Sequence, residues 1–333
     1  MFRRFAIAGL GVLGTLFVVQ ITASLIVAIH PGLLYRPHAY TEEGPTVGSA
    51  VSWILSKLSM VPEGTAERQV VTVMVENSWE ARPHQDGLQD ALAIVEMVVE
   101  GGITRFAVLL PGDRLPERIG PVRSLRPYFL ELVEPWASLL LFAGGSPEAL
   151  EEAPTATIPA INGLGRPKEF FRDKEIPAPH NLFIGSDGLR TIMREWELAP
   201  TLWPPYTVGG MPDGESASTV EMNFLSRTHD VTYTAKGGSY VRMNGDIESP
   251  MRPSNVVVLE APIVSIGELG RLEIPLTGGR MLFFRSGMAY EGRWKLDRSA
   301  GLQFLDNDGR AMRFSRGQTW ITVLPTLERV TWE

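Results

Sequence analysis

The stretch DGLQDALAIVEMVVEGG, residues 86–102, decides how the first half of the chain is interpreted. It has apolar residues at spacings of three and four, namely Leu88, Leu92, Val95 and Val99. This spacing predicts one face of an amphipathic helix. The Gly101–Gly102 pair that follows is typical of a helix end. The stretch therefore predicts a helix between two strands.

The segments around this stretch favour strands. VVTVMVEN (70–77) and ITRFAVLLP (103–111) are buried-type strand sequences, and SLLLFAGG (138–145) is a third. LRPYFLELVEPW (125–136) begins a second predicted helix. Alternating strands and helices indicate an α/β domain whose neighbouring strands are largely parallel.

The second half of the chain has a different pattern. Short strand-like runs such as VTYTA and SYVRM alternate with turns, and Ser286–Gly287 and Asp308–Gly309 are hairpin signals. We therefore expect an α+β protein with a mainly antiparallel all-β C-terminal domain. The predicted division is an anchor at 1–34, a linker with a short amphipathic helix (48–60) at 35–68, the α/β domain at 69–200, a linker at 201–218 and the all-β domain at 219–333.

The N-terminus has the character of a transmembrane helix. Residues 5–29 carry no charge, and 25 helical residues at ~1.5 Å rise are longer than a ~30 Å hydrocarbon core. Arg3 and Arg4 precede the segment, so the positive-inside rule puts the N-terminus in the cytoplasm and the remaining domains outside. A cleaved signal peptide is the alternative, although its apolar core is usually shorter.

Composition excludes several classes of function. The net charge of −7 argues against nucleic-acid binding through a broad basic face, and the absence of cysteine excludes disulfides and thiolate sites. There is no P-loop, G-x-G-x-x-G after a strand, H-E-x-x-H or G-x-S-x-G, and the five histidines lack metal-ligand spacing. No cofactor is therefore identified. Carboxylates could hold Mg²⁺, but no motif supports it.

Charged residues nevertheless gather near predicted strand and helix ends. In ERIGPVRSLRPYF (117–129), Pro121 favours a helix start that would align Arg123 with Arg126, just as Glu96 and Glu100 would share a helix face. Guanidinium groups bind phosphate or carboxylate in bidentate fashion, whereas each charge taken alone is explained by ordinary ion pairing. The candidate ligand-binding residues are Glu76, Asn77, Arg82, Glu96, Glu100, Arg105, Arg118, Arg123, Arg126, Arg172, Asp173, His180 and Asn181.

Several of these residues lie in motifs with a family resemblance. VMVENSWEARPHQDGL, VEGGITRF, IGPVRSLRPYF, GGSPEAL, FRDKEIPAPHNLF and GQTWITVLP, between about 70 and 325, resemble the YerB-like family of bacterial lipoproteins. The resemblance implies a two-domain protein of the bacterial cell envelope whose activity is unassigned. The chain departs from the family in lacking the lipobox cysteine, so residues 5–29 would be its anchor. Leu92, Val95 and Ile176 stand where the family commonly has Asp, Tyr and Arg.

Three functions remain open on these grounds. The first is an envelope protein that binds an anionic small molecule or cell-wall polymer, which predicts that Arg105, Arg123, Arg126 and Arg172 converge with Glu76 or Glu100. The second is a phosphoryl or glycosyl-phosphate transferase acting on wall-polymer precursors. The third is a non-catalytic scaffold that uses exposed aromatics such as Trp294 or Trp320, although packing in the β core is the preferred interpretation of both. The sequence does not predict the oligomeric state.

Overall fold

The computed structural model describes residues 65–267, 270–297 and 301–333. The predicted transmembrane segment at 5–29 and the amphipathic helix at 48–60 lie outside the described residues. Within those residues, no helix has the length and apolar character needed to cross a membrane.

The described residues are mostly β-structure. In chain order the strands are β1 Ala66–Arg68, β2 Val70–Glu76, β3 Ala93–Val98, β4 Thr104–Pro111, β5 Arg118–Ile119, β6 Leu139–Phe142, β7 Ala160–Asn162, β8 Phe170–Arg172, β9 Leu182–Gly185, β10 Thr201–Trp203, β11 Glu215–Ser216, β12 Thr219–Met222, β13 Val231–Lys236, β14 Ser239–Asn244, β15 Ile247–Glu248, β16 Pro253–Glu260, β17 Val264–Ile266, β18 Arg271–Glu273, β19 Gly278–Arg285, β20 Met288–Asp297, β21 Gly301–Leu305, β22 Gln318–Leu324 and β23 Val330–Trp332. The α-helices are α1 Pro127–Val133, α2 Pro147–Glu152 and α3 Ser186–Glu195.

One eleven-stranded mixed sheet organises the molecule. Its strand order is β11-β20-β19-β16-β22-β3-β4-β2-β6-β7, with β21 paired to β20. β22 runs parallel to both β16 and β3, and β6 runs parallel to both β2 and β7. Because β22 lies between β16 and β3, strands from both halves of the chain are hydrogen-bonded into the same sheet.

Both faces of this sheet are buried along β2, β3 and β4. Along β3, Ile94 points into a core that includes Ile192 of α3 and Tyr233 of β13. The next residue, Val95, points into a second core that includes Phe129 of α1. Strands covered on both faces are expected to be largely apolar, and β2, β3 and β4 are apolar at most positions and buried at every position.

Smaller sheets surround the central one. β15-β14-β13-β12-β23 is antiparallel throughout, and β5-β9-β8 forms a three-stranded antiparallel sheet. β1 pairs with β10, and β17 pairs with β18. The segment 201–218, predicted as a linker, thus contributes β10 and β11 to paired structure.

The predicted helix at 86–102 is wrong, and with it the α/β assignment and the predicted fold class. The stretch forms a 3₁₀ turn at Leu88–Asp90, strand β3 and a second turn at Glu100–Gly102. All six residues of β3 are buried, so apolar residues occur on both faces and some fall at helical spacing. Periodicity cannot separate a fully buried strand from a buried helix, whereas the β-branched content of β3 favours a strand.

The predicted helix start at Pro121 is also wrong, because α1 begins at Pro127. Residues 121–125 are extended instead and complete the hydrogen bonding of two strand ends. The Glu76 amide donates to the Pro121 carbonyl at 2.9 Å, and the Arg123 amide donates to the Met74 carbonyl at 2.9 Å. The strands predicted at 70–77, 103–111 and 138–145 are present as β2, β4 and β6.

The shared sheet predicts that the two halves of the chain do not fold separately. A fragment of residues 65–218 would expose the edge of β3 that β22 normally covers, and open edges of this kind favour aggregation. We expect no cooperative thermal transition, followed by circular dichroism, for this fragment or for residues 219–333 alone. An equimolar mixture should recover one, whereas a cooperative transition of either fragment alone would contradict this account.

Candidate functional site

The structure separates the thirteen candidate residues into three groups. The buried network contains Asn77, Arg82 and Glu96. The sheet-end cluster contains Glu76, Glu100, Arg105, Arg123, Arg126 and His180. The loop cluster contains Arg118, Arg172, Asp173 and Asn181.

The buried network is centred on Glu96, which is fully buried in β3. Its carboxylate accepts hydrogen bonds from Arg242 Nη2 at 2.9 Å, Trp320 Nε1 at 3.0 Å and Thr104 Oγ1 at 2.8 Å. The Arg242 guanidinium lies 4.3 Å from the centre of the Trp320 ring. Several donors and an aromatic face thus compensate both charges, as a buried ion pair requires.

A neutral histidine extends the buried network. Arg82 Nη2 donates to His229 Nδ1 at 2.8 Å, and Arg82 Nε donates to Asn77 Oδ1 at 3.3 Å. Burial, with the charges of Arg82 and Arg242, lowers the pKa of His229 to about 3, so the ring is neutral at physiological pH. Since arginine can only donate, Nδ1 of His229 is the acceptor and its proton lies on Nε2. The network therefore connects the two halves of the chain.

The sheet-end cluster forms where β2 and β6 separate. These strands pair only through Val71–Val73 and Leu139–Leu141. Beyond that point residues 121–125 lie between the two strands. The Arg123 amide donates to the Met74 carbonyl at the end of β2, and the Ala143 amide, just after β6, donates to the Arg123 carbonyl. This insertion brings Arg123 to the end of β2.

Two arginines of the sheet-end cluster have bidentate carboxylate partners. Arg123 donates to Glu76 from Nε at 2.6 Å and from Nη2 at 2.9 Å. Arg126 donates to Glu100 from the same two atoms, at 2.7 and 2.6 Å. Burial raises the pKa of Glu76, but Arg123 and the nearby His180, whose Nδ1 lies 3.0 Å from Oε2, outweigh it and lower the pKa. Both glutamates therefore neutralise arginines.

Arg105 differs from Arg123 and Arg126 in its hydrogen-bond partners. It is only 7% exposed, and its single hydrogen bond to a described residue runs from Nη1 to the Ser124 carbonyl at 2.7 Å. Its buried Nε has no hydrogen-bond partner, and no described carboxylate forms an ion pair with it. Burial and the charge of Arg126 lower the pKa of Arg105 to about 10, which leaves it protonated at neutral pH. Apart from His180, three arginines against two glutamates give the cluster one excess positive charge.

In the loop cluster, Arg118 is paired with carboxylates, whereas Arg172 is exposed and has a neutral amide partner. Arg118 bridges Asp86 and Asp173, at 2.7 and 2.8 Å. Arg172 donates from Nη1 to Asn181 Oδ1 at 2.8 Å. Of the four arginines predicted to converge, Arg105, Arg123 and Arg126 lie in the sheet-end cluster, whereas Arg172 lies in the loop cluster.

The arrangement limits the chemistry of the site. Across the described ranges no three His, Asp or Glu side chains are grouped as metal ligands would be. Arg118, Arg123 and Arg126 are each paired with a carboxylate. Among the candidate arginines outside the buried network, Arg105 and Arg172 form no ion pair with a described carboxylate, and of these two Arg105 is buried whereas Arg172 is exposed.

Sequence reasoning missed Thr104, His229 and Arg242. Arg242 had a detectable signal, because in SYVRMN it occupies the same alternate, inward position as the buried Tyr240. Trp294 and Trp320 are 2% and 0% exposed, which confirms that they pack in the core and removes them as exposed binding aromatics.

Comparisons with known proteins agree with the sequence motifs. Residues 55–198 match the family model described as Protein of unknown function (DUF3048) N-terminal domain, and residues 220–321 match its C-terminal domain. The chain is 30% identical over 282 residues to "Putative lipoprotein YerB" of Bacillus subtilis (strain 168), covering 79% of this chain and 83% of that protein. The crystal structure of YerB protein from Bacillus subtilis is similar with a TM-score of 0.72 and 27% identity, over 80% of this chain and 94% of that one. The resemblance to YerB-like proteins is confirmed.

The buried network predicts a large effect from one charge deletion. Glu96→Gln leaves Arg242 buried without a counter-charge, which should lower the free energy of unfolding by about 3–5 kcal/mol. The double variant Glu96→Gln/Arg242→Met should be less destabilised, since neither charge remains. Urea unfolding followed by tryptophan fluorescence measures both.

Arg280→Met is the matched control for this experiment, because Arg280 pairs with Glu260 at 2.6 Å but is 57% exposed. Its loss should cost less than about 1 kcal/mol. If Glu96→Gln costs no more than this control, the central role of the buried ion pair is wrong.

Proposed function

The chain belongs to the DUF3048 family, and from this premise we propose that it is an extracytoplasmic envelope protein that binds a carboxylate- or phosphate-bearing ligand at Arg105. The lipoprotein name of its relative supports a location outside the cytoplasmic membrane. Residues 5–29 would supply a single-pass anchor with the N-terminus inside.

The unoccupied edge of Arg105 carries the binding proposal. Arg123 and Arg126 each hold a glutamate through Nε and Nη2. The same edge of Arg105 donates to no described residue, although Nε is buried. A buried charged donor without a partner is costly, and a bidentate anion at this edge would repeat the geometry of the two neighbouring pairs.

The excess charge supports a ligand group with one negative charge. Glu76 and Glu100 already neutralise two of the three arginines. A carboxylate at Arg105 would complete the balance, and a phosphate monoester, which carries about −1.5 to −2 charges at pH 7, would more than complete it. Each glutamate is held by an arginine and is therefore a poor choice for holding Mg²⁺ or acting as a general base. We accordingly propose binding without turnover.

The binding proposal predicts that Arg105→Gln weakens inorganic phosphate and acetate binding by about tenfold or more, since hydrogen bonds to charged groups contribute roughly 1.5–3 kcal/mol. Isothermal titration of the full chain in amphipol measures this, with thermal unfolding to establish that the variant is folded. Arg280→Gln, at the surface pair with Glu260, is the matched control and should bind as the wild type does. Absence of binding by the wild type, or equal binding by a folded Arg105→Gln variant, would overturn the proposal.

The location proposal predicts the accessibility of the described domain in bacterial cells. Protease added outside spheroplasts should digest residues 65–333, while an epitope fused before Met1 stays protected until the membrane is permeabilised. Digestion only after permeabilisation would place the domain inside and contradict the proposal.

A further inference from the structure

Two exposed leucines border the Gly144–Gly145 turn next to Ser124, the residue that accepts a hydrogen bond from Arg105, and we propose that the ligand is an amphipathic anion. Its charged group would bind the Nε–Nη2 edge of Arg105, and an attached apolar chain would lie on Leu164 and Leu150. This inference rests on the proposed function and names the class of molecule that would bind there.

Leu164 is fixed next to the backbone that holds Arg105. A Cβ placed on Gly144 would lie 3.5 Å from Leu164 Cδ1 and 3.6 Å from Ser124 Oγ, so both side chains border the same position. The Ser124 carbonyl is the hydrogen-bond acceptor of Arg105 Nη1. Asn162 Oδ1 accepts hydrogen bonds from the amides of both Gly144 and Leu164, at 3.0 and 3.1 Å, which ties the two loops together.

Leu150 borders the adjacent glycine. A Cβ on Gly145 would lie 3.1 Å from Leu150 Cδ2 and 3.3 Å from the Leu125 carbonyl oxygen. That carbonyl accepts a hydrogen bond from Arg126 Nη1 at 2.8 Å. Both leucines therefore pack against the loop that also contacts the arginines of the sheet-end cluster.

The two leucines remain largely open to solvent despite this placement. Leu164 is 58% exposed and Leu150 is 41% exposed. Scattered exposed leucines need no explanation, but Leu150 of α2 and Leu164 both border the Gly144–Gly145 turn, next to the segment that accepts a hydrogen bond from the buried, cationic Arg105. Inorganic phosphate would use only the guanidinium, whereas an alkyl phosphate or fatty carboxylate would cover the leucines as well.

A homologous series of ligands tests the apolar part. Inorganic, ethyl, butyl and hexyl phosphate are titrated into the full chain in amphipol, with hexanoate as the carboxylate arm that distinguishes the head groups. Hexyl phosphate should bind at least roughly tenfold more tightly than inorganic phosphate, because each buried methylene favours binding. Leu150→Ser/Leu164→Ser should remove this gain and leave the Kd for inorganic phosphate unchanged.

Val264→Ser/Ile266→Ser is the matched control, since these side chains are 47% and 37% exposed on the β17-β18 hairpin. It should keep the full gain with chain length. Arg105-dependent phosphate binding with no chain-length gain would overturn this inference alone, as would a gain that persists in Leu150→Ser/Leu164→Ser. Absence of phosphate binding by the wild type would overturn the proposed function itself.

Discussion

The buried ion pair between Glu96 of β3 and Arg242 of β14 is the interaction on which the rest of the structure depends. It joins a strand of the central sheet to the five-stranded sheet that covers one face of it. Both charges are out of water, so they are tolerated only if the surrounding donors and rings are in place. Trp320 of β22 supplies an N–H and a ring face, and thereby ties the pair to the strand that bridges the two halves of the chain.

Strand alternation keeps this network apart from the candidate ligand site. Thr104 and Arg105 are neighbours in β4, yet Thr104 donates to Glu96 while Arg105 belongs to the sheet-end cluster. Glu76 and Asn77 are likewise neighbours at the end of β2, yet Glu76 accepts from Arg123 of the sheet-end cluster while Asn77 donates to Glu96 of the buried network. Successive side chains of a strand point to opposite faces, so residues adjacent in sequence serve stability on one face and the candidate site on the other.

The sequence predicted which residues lie together in the candidate site but not which of them form ion pairs. The motifs indicated that Arg105, Arg123 and Arg126 lie near Glu76 and Glu100, and the structure brings these five residues together. Their assignment into two closed pairs and one open arginine depends on residues 121–125 entering between β2 and β6. This insertion depends on hydrogen bonds between segments far apart in sequence, so the spacing of residues within one segment cannot predict it. The partners of Arg242 and His229 could not be predicted for the same reason, because they lie more than a hundred residues away in the chain.

The sequence by itself determined the family, the positions of β2, β4 and β6, and the gathering of charge near strand ends. These features rest on local composition and on long motifs, which a single chain displays directly. Tertiary structure decided that residues 93–98 form a strand, because burial on both faces, between β22 and β4, is a property of the sheet. It also decided that strands from both halves share one sheet, and that Arg105 alone in the sheet-end cluster lacks a carboxylate partner among the described residues. Charge compensation and sheet order depend on which distant segments meet, and that is fixed only when the chain folds.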